Sequence, residues 1–183
     1  MRNFLIIFSL INLIFAQRNV GIESQSLFLQ AMRMERSGDI LDAEKIYKNI
    51  LNNEPTHQPS FFQLRNIYSK NNDLESGIQL IEGWLKNNPT DYQSMLSLGE
   101  FYFKNQKRTK ANEIWDDFSR NNLSNKTMYR LLFHTYIKFG QTNSMELLAI
   151  KGREEFNEPY FLAIEIANYY QSRQAFRSSL EEL

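Results

Sequence analysis

Between Ser26 and Ser37 the apolar residues Leu27, Leu29, Ala31, Met32 and Met34 form one broad stripe at helical spacing. The spacing predicts an amphipathic helix, and the pattern returns along the chain. Leu27, Phe61, Met95 and Tyr129 are 34 residues apart. So are Met34, Tyr68, Tyr102, Tyr136 and Tyr170, and so are Ala43, Gly77, Ala111 and Met145. A further column, Gly38, Asn72, Gln106 and Gly140, is rich in turn residues. Columns that share one phase mark an internal repeat. No alternating apolar–polar pattern lasts more than a few residues, so helices alone are predicted.

Local chemistry fits two helices per repeat. Asp39 and Asp73 stand before the second helices, where a carboxylate can cap free N–H groups. Gly38 and Gly140 suit the left-handed turn after a helix. The small Ala43 and Ala111 are expected at close helix crossings. Pro55 and Pro89 are expected to start the next helix with a preset φ. One such pair cannot bury its apolar face alone, so neighbouring copies must stack.

A 34-residue period with aromatic, small and proline columns resembles the tetratricopeptide repeat (TPR) family. The family's Leu-Gly pair falls best on Leu98-Gly99 and reads Leu64-Arg65, Leu132-Phe133 and Gln30-Ala31 in other copies. Its second-helix aromatic falls on Tyr47 and Trp115, with Ile81 and Ala149 in the weaker copies. The resemblance implies an all-α, right-handed α-solenoid of antiparallel helix pairs over residues 24–183. Repeats are placed near 24–57, 58–91, 92–125 and 126–159, with an incomplete fifth over 160–183. The phase puts most of that fifth copy's second helix beyond Leu183, so the chain is read as the N-terminal part of a longer protein.

The first residues follow another logic. Arg2 precedes an apolar run from Phe4 to Phe15 that is broken only by Ser9 and Asn12, and Ala16 closes it. This is the order of a secretory signal peptide over 1–16, followed by a short leader over 17–23. The run falls short of the ~20 residues of a membrane span, so no stable span is expected after cleavage at Ala16. Abundant Asn, Ile and Lys suggest a bacterial source. Together these readings predict export, to a periplasmic or outer-membrane-associated location.

Charge and composition close off several chemistries. Lys+Arg and Asp+Glu are 21 each, for a net charge of +0, which argues against a nucleic-acid partner. There is no cysteine, so disulfides, thiolate metal sites and cysteine nucleophiles are absent. His57 and His134 are the only histidines; the first is read as solvated in a loop, the second as a polar groove position. No metal site or cofactor is expected. No glycine-rich phosphate loop occurs. Asp116-Asp117, Glu154-Glu155 and Glu181-Glu182 are adjacent pairs, which a helix turns ~100° apart, so they read as solvated face. No catalytic residue is assigned. Asn122-Leu123-Ser124 and Asn125-Lys126-Thr127 match glycosylation acceptors, relevant only to a eukaryotic secretory route.

The resemblance further implies that the first helices line a concave, partner-binding surface. The positions that face it are Phe28, Met32 and Arg36, then Phe62, Asn66 and Lys70, then Leu96, Glu100 and Lys104, then Arg130, His134 and Lys138. Phe28 and Phe62 are candidate anchors. Arg36, Lys70, Lys104 and Lys138 form a basic ladder, which either complements helix dipoles or holds an acidic partner. Phe28 and Met32 stand where family members that clamp chaperone C-termini carry Lys and Asn, and only Asn66 fits that pattern. The functional expectation is a non-enzymatic scaffold that binds a protein or peptide in this groove. The alternative is a substrate-recruiting or regulatory module of a longer protein whose catalytic part lies beyond Leu183.

Overall fold

The computed structural model describes residues 21–121 and 124–175, and among these the secondary structure is helix and turn alone. The expected signal peptide over 1–16 and the leader up to residue 20 lie outside the described residues, as do residues 176–183. Residues 21–37 form α1, and α2 runs Ile40–Asn53. There follow α3 Gln58–Lys70, α4 Leu74–Asn87, α5 Tyr92–Lys104 and α6 Arg108–Asn121. The last three are α7 Lys126–Lys138, α8 Thr142–Phe156 and α9 Ala163–Ser172. The chain divides between Asp91 and Tyr92 into two compact units.

The repeat is written most clearly in the turns. Gly38, Asn72, Gln106 and Gly140 all have positive φ, at 95°, 56°, 59° and 65°. Gln174, one period further on, does too, at 61°. Each left-handed residue lets the next amide reach back over the helix end. Asp39, Asp73, Lys107, Gln141 and Ala175 donate to the carbonyls of Met34, Tyr68, Tyr102, Tyr136 and Tyr170, at 2.8–2.9 Å. This is a Schellman-type C-cap, made five times in one phase. The fifth closes α9, so Tyr170 stands in phase with the other tyrosines.

In the first unit, Ala43, Tyr47 and Ile50 of α2 meet Phe61, Leu64, Ile67 and Tyr68 of α3 in the core. From α4 come Gly77, Ile78, Ile81 and Trp84. Phe61 stacks on Trp84 with ring centroids 4.2 Å apart. Tyr47 donates to Glu35 at 3.2 Å and Tyr68 to Glu44 at 3.1 Å, so both hydroxyls are satisfied. In the second unit, Trp115 is fully buried and lies against Gly99. A Cβ at Gly99 would sit 2.2 Å from the indole nitrogen. Glycine is therefore what lets α5 and α6 approach. Ala43 and Ala111 are wholly buried, as the small-residue column predicts.

Several local expectations are corrected. Asp73 caps α4 by accepting from the Ser76 amide at 3.2 Å. Asp39 makes no such bond to α2, because its carboxylate accepts from the Ser37 hydroxyl at 2.8 Å instead. Pro55 and Pro89 occupy the turns before α3 and α5, and the proline inside the first turn of α3 is Pro59. His57 is more than a solvated loop residue. Its Nδ1 accepts from the Ser60 amide at 3.2 Å, which makes it the N-cap of α3. Within the fifth repeat, α9 starts at Ala163, after a turn with Leu162 at φ 62°.

Candidate functional site

The first helices of each unit carry the residues assigned to a partner surface. In the first unit these lie on α1 and α3. Phe28 is half-buried, with its ring 5.7 Å from Tyr47 and 5.6 Å from His57. It therefore spends part of its surface tying α1 to α2 and to the start of α3. Met32 is half-buried, and Arg36 is exposed. On α3, Phe62 is half-buried beside Phe61 at 5.5 Å, with the Arg65 guanidinium 4.9 Å from its ring. Asn66 and Lys70 are exposed one and two turns further on. The spacing of Phe62, Asn66 and Lys70 places all three along one side of α3.

The second unit treats the equivalent positions differently. Lys138 on α7 bonds Glu100 on α5 at 2.7 Å. Arg130 pairs with Glu165 on α9 at 3.1 Å and lies over the Phe161 ring at 5.2 Å. Lys126 bridges to Glu158 at 2.5 Å. Three of the assigned residues, Glu100, Arg130 and Lys138, thus stitch first helices to their neighbours. Lys104 and His134 remain exposed. Leu96 is corrected outright: it is buried, its carbonyl accepts from the Trp115 indole at 3.4 Å, and it presents no surface. Lys70, Lys104 and Lys138 each end a helix, and Arg36 lies in the last turn of α1, so the ladder complements the helix dipoles.

Two surface features lie largely outside the first-helix positions that the sequence assigns. A cavity of about 280 Å³ opens between α2 and α4, lined by Leu51, Pro55, Leu80, Gly83 and Trp84 above Phe61. The signal was an exposed glycine inside a helix: a Cβ at Gly83 would meet nothing within 4 Å. The other feature is the run of cations from Lys104 to Lys110. Asn125, of the second glycosylation pattern, caps α7 by accepting from the Met128 amide at 3.2 Å. Among the described residues, no helix is long and apolar enough to cross a membrane, and no group of three or more His, Cys, Asp or Glu could hold a metal ion.

No protein-family model and no curated protein matches the chain. Solved structures do. MamA (residues 41 to the end) from Desulfovibrio magneticus RS-1 is 14% identical with a TM-score of 0.55, over 87% of this chain and 90% of that one. YrrB, described as a TPR protein with an unusual peptide-binding site, is 12% identical with a TM-score of 0.50, over 85% and 80%. A thermophilic TPR protein of Thermus thermophilus is 14% identical with a TM-score of 0.51, over 87% of each chain. At these identities the likeness defines the fold. The chain has the all-α, TPR-type solenoid architecture that its 34-residue period predicts.

Proposed function

We propose that this protein is a non-enzymatic interaction scaffold of the cell envelope that holds a segment of a partner protein on the first-helix face of its first unit. One contrast supports that choice of face. In the second unit three of the equivalent side chains, Glu100, Arg130 and Lys138, are consumed in ion pairs, whereas on α3 Phe62 is half-open and Asn66 and Lys70 are exposed. Phe62 supplies the apolar anchor, Asn66 a donor and acceptor for main-chain groups, and Lys70 a flanking charge. Anchors of this kind carry most of an interface's energy, ~2 kcal/mol or more on truncation. Exposed lysines act mainly on association rate and salt sensitivity. The envelope location rests on the Arg2–Ala16 pattern.

A photoreactive amino acid at position 66 tests the face directly. It should cross-link a partner in cells, and the cross-link should vanish with Phe62→Ala and weaken with Lys70→Ser. The same probe at Asn49, an exposed second-helix position, should not give that product. Equal labelling from both positions, or a cross-link indifferent to Phe62→Ala in a folded variant, would refute the assignment.

A further inference from the structure

The second unit distributes its charge unevenly. Lys104 ends α5, Lys107 precedes α6, and Arg108 and Lys110 stand in the first turn of α6. No Asp or Glu occurs between Glu100 and Glu113. Lys104 and every residue from Gln106 to Lys110 are exposed. Lys104, Arg108 and Lys110 make no ion pair among the described residues. Arg108 rests 5.3 Å from the Phe103 ring and Lys110 5.3 Å from the Tyr102 ring. These contacts hold the cations in place without neutralising them. Arg173, at the C-terminal end of α9, adds a positive charge to the equivalent end of another first helix, whereas Lys138 is paired with Glu100.

The other turns of the same repeat serve as internal controls. α2 follows Asp39 and has Asp42 in its first turn; α4 follows Asp73 and has Glu75. Those carboxylates suit the positive end of a helix. α6 has Lys107, Arg108 and Lys110 there instead, which opposes its own dipole. The first two copies carry the favourable solution, α8 of the fourth follows Gln141 with neither acid nor base in its first turn, and the third alone places cations there. A helix dipole opposed by cations in one copy of a repeat points to a role other than folding.

The kind of partner follows from what accompanies the charge. Among the described residues, no exposed large apolar side chain stands between Leu41 and Leu147. None of the cavities described in the second unit is lined by residues 104–110. A peptide would find no anchoring pocket here. A dense anionic plane needs none. Arg108 and Lys110 also belong to a second helix, so a ligand in the first-helix groove would not engage them.

We propose that this edge docks electrostatically on an anionic lipid surface, through headgroup phosphates and without insertion. The choice of lipid over nucleic acid rests on the envelope location proposed above. The test is co-sedimentation of the full chain with mixed phosphatidylcholine–phosphatidylglycerol vesicles against pure phosphatidylcholine vesicles. Binding to the pure vesicles is the baseline. The expected result is an excess on the mixed vesicles that falls as salt shortens the screening length from ~30 Å at 0.01 M to ~8 Å at 0.15 M. Arg108→Ser with Lys110→Ser should cut that excess about 25-fold, from roughly fivefold per cation at a lipid surface. Lys107→Asp, which gives the third copy the residue of the first two, should also cut the excess while raising Tm by about 2–4 °C. No salt-sensitive excess, or an excess that the double variant retains, overturns the proposal. Tighter binding to duplex DNA or to poly-glutamate than to the mixed vesicles at equal salt overturns the lipid assignment.

Discussion

At the scale of single residues, two glycines in similar helices do opposite work. Gly99 exists so that Trp115 can lie against α5, and a Cβ there would press 2.2 Å from a ring that is wholly buried and cannot give way. Gly83 faces open space. Replacing either with Ala gains up to ~1 kcal/mol of helix propensity. At Gly99 that gain is outweighed by overpacking, which costs ~1–3 kcal/mol or more. We therefore expect Gly83→Ala to raise Tm and Gly99→Ala to lower it, read by thermal unfolding of the two variants side by side. The Leu98-Gly99 pair was legible in the sequence as a motif. Its reason was not, because the residue that demands the glycine, Trp115, stands on the next helix. Read together, small residues on the first helix match large ones on the second: Ala31 with Tyr47, and Gly99 with Trp115. Phe133 with Ala149 reverses the order, and all six are buried. The second copy, Arg65 with Ile81, departs from that pattern.

At the scale of elements, the turns are the constant and the caps the variable. Five helices end on a left-handed residue one period apart, but only Gly38 and Gly140 are glycines; Asn72, Gln106 and Gln174 hold the same conformation. A left-handed residue with a Cβ costs ~1–2 kcal/mol, less for Asn, whose short side chain tolerates the region. Glycine removes that strain and gives back ~0.5–1 kcal/mol in unfolded-state entropy. Gln106→Gly should therefore stabilise modestly and more than Asn72→Gly, whereas Gly140→Ala should destabilise; chemical denaturation resolves the order. A larger gain from Asn72→Gly would contradict the strain argument. The period made these turns legible even where the residue type did not advertise them. The caps were less legible, because a cap depends on competition within a few ångströms. Ser37 draws the Asp39 carboxylate away from α2, while Ser76 offers its amide to Asp73. His57 became a cap through Ser60, which no spacing rule would have selected.

At the scale of the whole molecule, helix count, pairing and phase were readable because each repeat solves the same burial problem with the same register. The division at Asp91 was not, since no composition shift marks it. Neither was the setting of the assigned first-helix residues, because Glu100, Arg130 and Lys138 are groove positions by phase and ion-pair partners in three dimensions. Buried tyrosines from three columns of the repeat, Tyr68 and Tyr136 from the column that reveals the period, also contribute a pH dependence. Burial is the largest cause pushing the hydroxyls of Tyr47, Tyr68, Tyr129 and Tyr136 above the ordinary phenol range. Glu35 adds to the effect at Tyr47 and Asp116 at Tyr136. The folded protein thus holds these protons more tightly than the unfolded chain, whose tyrosines ionise near pH ~10. Stability from this source is complete below that pH and is lost as pH rises above it toward the folded values. Thermal unfolding followed by circular dichroism should show a Tm insensitive to tyrosine up to about pH 10 and falling beyond it. Tyr136→Phe keeps the ring that meets Trp115 edge-on at 5.6 Å and removes the ionising group. Its alkaline decline should be shallower than that of the parent protein, at an unchanged baseline slope near neutrality. A parent Tm that stays level to about pH 11, or a Tyr136→Phe curve parallel to it, would mean that the buried hydroxyls do not govern alkaline unfolding.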